Sequence, residues 1–247
     1  MAFDPARGCT KLQQLRFVVQ TEDLIRRAEL KTGRIVVIDK PAGWTSFDVV
    51  NKLRRLSGVK KVGHAGTLDP FATGVLLVCF GSATKQVNAL MALDKEYQGI
   101  LELGTETDSH DVTGRVVAQR PVPELARDQI EQAFRRYLGE ITQIPPMFSA
   151  LKRNGQRLYK LARKGEQVEL EPRKVKIHAF DVLAVKLPEI HFQVICSRGT
   201  YVRALARDLG RDFGCGAHLK TLRRTRVGSF SVDSALSIEQ FAARLTD

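Results

Sequence analysis

The stretch GHAGTLDPFATG, residues 63–74, lies between a helical pattern and the apolar run of residues 75–80. Its glycines and Pro70 predict a loop, and the apolar run after it predicts a short buried strand. In this loop the carboxyl group of Asp69 stands next to Pro70, five residues after the imidazole of His64. Either the loop presents Asp69 for chemistry, or Asp69 caps a turn, which is a common role for aspartate.

Short elements flank this loop on both sides. Residues 34–38 (RIVVI) predict a strand. Ser46 predicts the cap of a helix whose apolar positions keep helical spacing: Val49, Val50, Leu53 and Leu56. After the loop, residues 83–93 have a helical pattern, and residues 96–103 alternate as a half-buried strand does.

The second half of the chain continues to mix helices and strands. Residues 124–138 carry the clearest amphipathic helix pattern, which Gly139 ends. Further strands are predicted at 177–185 and 190–196, and further helices at 201–213 and 238–245. Because strands and helices are interspersed and the strands alternate, we expect an α+β fold: a mixed, mainly antiparallel sheet with flanking helices.

Composition restricts the class of protein. The 247 residues are 43% hydrophobic, which suits one large or two modest globular domains. No stretch approaches the roughly 20 apolar residues of a membrane span, and residues 1–33 contain no secretory apolar region, so we predict a cytoplasmic protein. The four cysteines are far apart, and no metal-ligand spacing or glycine-rich nucleotide motif occurs.

The net charge of +12 is localised in two segments. Residues 152–176 hold nine Lys or Arg against three Asp or Glu, and residues 198–226 hold eight against two. The rest of the chain sums to zero. This placement favours nucleic acid as the partner over a membrane surface, although a basic segment is also compatible with a solvated surface.

Four motifs follow one another along the chain: KPxGxxS from Lys40, the 63–74 loop, KEY ending at Tyr97, and GTYxR from Gly199 to Arg203. Together they resemble the TruB family of tRNA pseudouridine synthases. The resemblance spans residues 33–230 and implies a pseudouridine synthase fold over residues 34–247. It also implies isomerisation of uridine to pseudouridine without a metal or an organic cofactor.

The resemblance assigns roles to six residues. Asp69 corresponds to the essential carboxylate, and Arg203 to the arginine that pairs with it; on sequence alone Arg203 is equally a phosphate contact. Tyr97 corresponds to the tyrosine that stacks on the target base, although a single aromatic in a strand is more often core.

The other three assignments concern the surroundings of the base. His64 corresponds to a residue that helps take the base out of the RNA stack, and its alternative role is that of a turn histidine. Tyr201 and Leu222 correspond to apolar walls around the base, Leu222 being the weaker match.

Residues 147–173 match the family's basic insertion, an arm that binds the T-arm of tRNA. The resemblance therefore implies the uridine at position 55 of the T-loop as substrate, without a guide RNA, and we expect a monomer. Many bacterial members of the family continue into a small C-terminal RNA-binding domain, whereas this chain ends at Asp247, so we expect that this domain is either absent or removed from the chain. Residues 1–33 are interpreted as an N-terminal extension.

Two other functions are compatible with a basic protein. A metal-dependent nuclease would use four acids, Asp94, Glu96, Asp108 and Asp111. An RNA-binding module without catalysis would be unaffected by Asp69→Asn. Within the synthase class, a guide-RNA-dependent relative is a further alternative.

Overall fold

The computed structural model describes residues 24–149, 152–153, 156–157 and 170–247, the two short pairs by their backbone only. The chain divides into two compact units, Met1–Glu96 with Arg223–Asp247, and Tyr97–Leu222. Within the described ranges, no helix has the length and apolar character that crossing a membrane would require.

The first unit begins with five strands and helices up to the 63–74 loop: β1 (Ile25–Arg26), α1 (Arg27–Thr32), β2 (Gly33–Lys40), α2 (Ser46–Ser57) and β3 (Val62–His64). After the loop come β4 (Thr73–Gly81), a 3-10 turn (Ser82–Gln86) and α3 (Val87–Ala92). The chain returns to this unit through the end of a long strand and closes with β14 (Phe230–Ser231), a 3-10 turn (Val232–Ser234), α6 (Ile238–Arg244) and β15 (Leu245–Thr246).

Strand β4 is the centre of the first unit. It pairs antiparallel with all of β2, from Gly33↔Gly81 to Lys40↔Gly74, and antiparallel with β3. Successive side chains of a strand point to opposite faces. Leu76, Val78 and Phe80 accordingly belong to one buried cluster and Val75, Leu77 and Cys79 to another. The apolar run that predicted a buried strand is therefore covered on both faces.

The N-cap of helix α2 lies one residue earlier than the sequence predicted. Thr45, not Ser46, is the N-cap: its hydroxyl accepts from the backbone N–H of Asp48, whose carboxylate accepts from the N–H of Thr45. Ser46 is the first helical residue and is buried. Its hydroxyl is thereby free to contact the 63–74 loop.

The ends of the described chain meet in the first unit. Ile25 of β1 lies opposite Leu245 of β15 in a parallel pair. Ile25 and Leu30 are buried in the same cluster as Phe241 of α6. Residues 24–33 thus pack on the first unit, whereas residues 1–23, the rest of the predicted extension, lie outside the described residues.

The second unit contains most of the remaining strands. Its first half has β5 (Lys95–Leu103), β6 (Thr105–Thr107), β7 (Val116–Gln119), α4 (Arg127–Arg135) and β8 (Gly139–Gln143). Its second half has β9 (Lys152–Arg153), β10 (Gln156–Arg157), β11 (Arg173–Lys186), β12 (Glu189–Cys196), α5 (Val202–Asp212) and β13 (Ala217–Val227). Strands β5 and β13 contain the boundaries between the two units.

Strand β11 organises the second unit by pairing antiparallel with β12 on one side and with β8 on the other. The ring of Phe180 on this strand packs against Phe134 of α4 and Phe192 of β12, with centroids 4.3 and 5.6 Å away. Among the strand pairs within each unit, antiparallel contacts dominate. The α+β fold with a mixed, mainly antiparallel sheet is confirmed.

Candidate active site

The 63–74 loop leaves β3 and returns to the sheet as β4. The N–H of Ala65 donates to the C=O of Leu77 at 2.9 Å, and the N–H of Ala72 donates to the C=O of Asp69 at 3.1 Å. Asp69 itself is half-buried. The loop therefore presents a half-buried Asp69 from a backbone that is hydrogen-bonded to β4 near its start and within the loop near its end.

Ser46 of α2 holds the middle of this loop. Its hydroxyl oxygen accepts from the N–H of Leu68 at 2.9 Å and donates to the C=O of the same residue at 3.2 Å. Both side chains are buried, so each of these polar groups needs its partner. The contact fixes the backbone immediately before Asp69.

Lys40 holds the loop from the end of β2. Its side chain is fully buried, and its Nζ donates to the C=O groups of Pro41, Trp44 and Pro70 at 2.8, 2.7 and 3.1 Å. Burial lowers the pKa of this ammonium group to about 8, which the negative charge of Asp69 partly counteracts. Lys40 thus supports the residue after Asp69 and places a positive charge near the carboxylate.

Arg224 of β13 is a further support of the loop, which sequence reasoning missed. Its side chain is 1% exposed. The guanidinium donates to the C=O groups of Val75, Gly66 and Thr67, at 2.7, 3.0 and 3.4 Å. Backbone carbonyls of residues far along the chain leave no sequence signal, since any residue type supplies a carbonyl.

The approach of β13 to the loop requires a glycine. Arg224 lies opposite Gly74 in the parallel pair of β13 with β4. Gly74 has φ +102°, and a Cβ at this position would lie 2.2 Å from the carbonyl oxygen of Arg224. The last glycine of the 63–74 stretch is therefore needed for close packing as well as for its backbone conformation.

His64 is the last residue of β3, at the start of the loop. Burial lowers the pKa of its imidazole, and the positive charge of Arg224 lowers it further. A lowered pKa keeps the ring neutral at physiological pH. His64 and Asp69 lie five residues apart, at the start and in the middle of the 63–74 loop, as the sequence indicated.

In the second unit, Arg203 lies in the first turn of α5 and is 4% exposed. Its guanidinium is 3.3 Å from the carboxylate of Asp111. It also donates to the C=O groups of Ser109 and Phe148, at 2.9 and 2.7 Å. The predicted pairing of Arg203 with Asp69 stays a prediction.

Asp111, which the sequence analysis considered only for the nuclease alternative, is the carboxylate partner of Arg203. Its carboxylate accepts from the hydroxyls of Ser109 and Thr113 at 2.8 and 2.5 Å, and from the N–H of Thr113 at 2.9 Å. Its C=O accepts from the hydroxyl of Thr107. These hydrogen bonds fix the position of the Asp111 carboxylate beside the buried guanidinium of Arg203.

The remaining predicted site residues also belong to the second unit. Tyr97 of β5 and Leu222 of β13 are buried, with 9% and 7% exposure. Tyr201 is half-buried and is the N-cap residue of α5, directly before Arg203's turn. The six predicted residues therefore fall into two groups, His64 and Asp69 in one unit and the other four in the second.

The acids of the nuclease alternative have other partners. Glu96 forms an ion pair with Arg226 and accepts from the hydroxyl of Thr225 at 2.9 Å. Asp108 pairs with Arg115, and Asp111 with Arg203. In the part of the chain that the structure describes, no group of three or more His, Cys, Asp or Glu could hold a metal ion.

Comparison with protein families identifies the relatives of this chain. Residues 54–202 match the N-terminal domain of the TruB family of pseudouridylate synthases. The chain belongs to the TruB family. Residues 203–246 match the C-terminal domain of tRNA pseudouridylate synthase B, so the boundary between the two matches falls inside α5. Residues 203–246 lie within residues 34–247, the range over which the motif resemblance implied a pseudouridine synthase fold.

Several curated relatives of this TruB-family chain are named tRNA pseudouridine synthase B. The protein of Geotalea uraniireducens is 49% identical over 86% of this chain and 68% of its own length. The protein of Phocaeicola vulgatus is 49% identical over 85% of this chain and 92% of its own length. The protein of Flavobacterium johnsoniae is 44% identical over 88% of this chain and 98% of its own length.

Solved structures also resemble the TruB-family chain. A Cbf5-Nop10-Gar1 complex contains a chain that matches with a TM-score of 0.68 and 28% identity, over 94% of this chain and 64% of that one. An H/ACA RNP bound to a substrate RNA containing 2'-deoxyuridine contains a chain that matches with a TM-score of 0.65 and 28% identity. This match covers 87% of this chain and 53% of that one. The chain thus spans between half and two thirds of these structural relatives.

Proposed function

We propose that this TruB-family protein isomerises uridine to pseudouridine in the T-loop of tRNA, at position 55, with Asp69 as the essential carboxylate. The observation that carries the proposal is the support of the Asp69 loop. Three buried side chains, Ser46, Lys40 and Arg224, bind its backbone, while Asp69 itself is only partly buried. Such a fixed carboxylate suits covalent catalysis or charge stabilisation at a base that has been turned out of the RNA.

The reaction is an isomerisation, and its atoms balance without a cofactor. The bond between ribose C1′ and uracil N1 breaks, the base rotates, the bond between C1′ and C5 forms, and the proton on C5 is replaced by one on N1. Asp69 acts either at C1′, at uracil C6, or by promoting a glycal-type route. In each route the carboxylate has to be ionised and held against the nucleotide.

The other predicted residues surround the base. We assign Tyr97 to stacking on the base, and Tyr201 and Leu222 to the apolar walls that exclude water. Arg203 is assigned to pairing with Asp69. Its hydrogen bonds to two backbone carbonyls and its ion pair with Asp111 hold the guanidinium in a fixed position. His64 with its lowered pKa is a neutral ring suited to filling the space that the base leaves in the RNA stack.

The substrate assignment rests on charge and on the named relatives. The whole excess of positive charge lies in residues 152–176 and 198–226, as expected for a protein that neutralises RNA phosphates. The predicted arm, residues 147–173, lies largely outside the described residues. We propose the T-arm of tRNA as partner, action without a guide RNA as a cytoplasmic monomer, and no cofactor.

Release of tritium tests the proposal. The purified protein is incubated, with EDTA present, with an unmodified tRNA transcript that carries tritium at uracil C5, and tritium released to water is counted. We expect release by the wild type and none by Asp69→Asn. Asp181→Asn is the matched control, because Asp181 is an exposed aspartate of β11.

The outcomes separate the alternatives. Tight RNA binding without release by the wild type would overturn the proposal in favour of a non-catalytic module or another RNA. A transcript with the uridine at position 55 replaced by cytidine tests the position. Its other uracils still carry the label, and we expect it to release no tritium. RNA cleavage that EDTA abolishes would indicate the nuclease.

A further inference from the structure

Gln143 lies where the chain leaves the sheet of the second unit. It is the last residue of β8, and in the antiparallel register it faces Arg173, the first residue of β11. Residues 144–172 therefore start and end at this pair of positions. The Gln143 side chain is only 2% exposed, so its amide is fixed at the base of the segment that contains the predicted arm.

Both polar atoms of the Gln143 amide bind one residue, Tyr201. The Oε1 accepts from the N–H of Tyr201 at 2.8 Å, and the Nε2 donates to the C=O of Tyr201 at 3.1 Å. Two hydrogen bonds to the same residue's backbone fix its orientation as well as its position. Because Tyr201 is the N-cap residue of α5, the contact also fixes where that helix begins.

Two arginines of α5 continue this contact along the helix. Arg203 donates to the C=O of Phe148 at 2.7 Å, and Arg207 donates to the C=O of Ile144 at 3.2 Å. Positions four residues apart lie on the same face of a helix. Residues 143–148 are thus bound to one face of α5, beginning at the residue before the helix.

From these contacts we propose that Gln143 is a positioning residue: its amide fixes Tyr201 and the start of α5, and so sets Arg203 at the point where residues 144–172 leave the sheet. The assignment rests on the proposed function, in which Tyr201 forms part of the wall around the base and Arg203 pairs with Asp69. Gln143 acts through these two residues and does not contact the reacting atoms. The side-chain amide of Gln143 thus connects the start of residues 144–172 to the start of α5.

Two substitutions test the role. Gln143→Met keeps the length of the side chain and removes both hydrogen bonds, whereas Gln143→Glu keeps the acceptor for the Tyr201 N–H and loses the donor to its C=O. Gln193→Met is the matched control, because the side chain of Gln193 on β12 hydrogen bonds to the side chain of Gln98, away from Tyr201 and α5. Single-turnover tritium release at saturating tRNA, the tRNA dissociation constant and the melting temperature are measured for each.

We expect Gln143→Met to slow release on the order of 10- to 100-fold at an unchanged dissociation constant, since small displacements of site residues reduce the rate by such factors. Gln143→Glu should lie between Gln143→Met and the wild type. The proposal is overturned if Gln143→Met releases tritium as fast as Gln193→Met, or if its tRNA affinity falls as much as its rate. Should Gln143→Met not fold, the rate-to-affinity comparison for Gln143→Glu decides. Absence of release by the wild type would instead contradict the proposed function.

Discussion

The guanidinium of Arg203 lies 3.3 Å from the carboxylate of Asp111, and both side chains are 4% exposed. A buried ion pair contributes little net stability compared with apolar residues, but removing one partner leaves the other charge buried and unpaired. The loop around Asp111 and the helix α5 thus depend on each other.

Asp111→Asn should therefore destabilise the protein strongly. Loss of one charge of a buried pair costs about 3–5 kcal/mol in the free energy of unfolding, measured by denaturant titration. Glu140→Gln is the control, because the Glu140–Lys174 pair is solvent-exposed and such pairs contribute little. Equal stability of the two variants would contradict the structural role of Asp111.

Ser46→Ala should affect both stability and tritium release. The substitution leaves the buried N–H of Leu68 without its acceptor, which costs about 1–3 kcal/mol, and it loosens the backbone before Asp69. Thr45→Ala is a matched control: it removes the N-cap of the same helix, at a cost of about 1 kcal/mol, without touching the loop. If both variants lose activity equally at matched stability, Ser46 has no specific effect on the loop.

Lys40 should make stability depend on pH in the alkaline range. Its pKa is lowered to about 8 in the folded protein, from 10.5. Between these values the unfolded chain binds more protons, so the contribution of Lys40 to the free energy of unfolding rises with pH. The difference in unfolding free energy between the wild type and Lys40→Met should therefore change between pH 8 and 10, in favour of the wild type as pH rises, by at most about 1.4 kcal/mol per pH unit. A difference that is constant over this range would contradict the lowered pKa.

Gly74→Ala should prevent the first unit from folding correctly. An added Cβ would lie 2.2 Å from the carbonyl oxygen of Arg224, in a backbone conformation that already disfavours alanine. Gly43→Ala has the same kind of backbone penalty, at φ +81°, but apart from Gly43 and its two neighbours in the chain, no described residue lies within 4 Å of the position that its Cβ would take. Circular dichroism and thermal melting should show a large loss for Gly74→Ala and a small one for Gly43→Ala. Similar losses would mean that close packing at Gly74 does not matter.

Local patterns predicted the elements around the site better than they predicted its supports. The apolar run after Thr73 indicated β4 because burial on both faces produces a continuous apolar sequence. Strand β13 has no such run, since its apolar residues are interrupted by Lys220, Arg223, Arg224 and Arg226. Its registration against β4 is a long-range property that no local window contains.

Lys40 was predicted to support the loop, whereas two other supports, Arg224 and Gln143, have a second reason for escaping prediction. Arg224 and Gln143 bind backbone groups, and every residue type offers the same carbonyl. Asp111 has a side-chain partner, but Arg203 lies 92 positions further along the sequence. The motifs thus indicated the residues that the family uses, whereas contacts to the backbone required the folded chain.

The contact of Arg224 with the 63–74 loop also bears on how the protein is synthesised. The carbonyls that this guanidinium binds precede it by 149 to 158 residues. At roughly 5–20 residues per second, a ribosome takes on the order of 10 s to add that many residues. During this interval the nascent chain carries Asp69 with Lys40 and Ser46 in place but without Arg224, so the loop cannot have its full set of contacts before β13 has been translated.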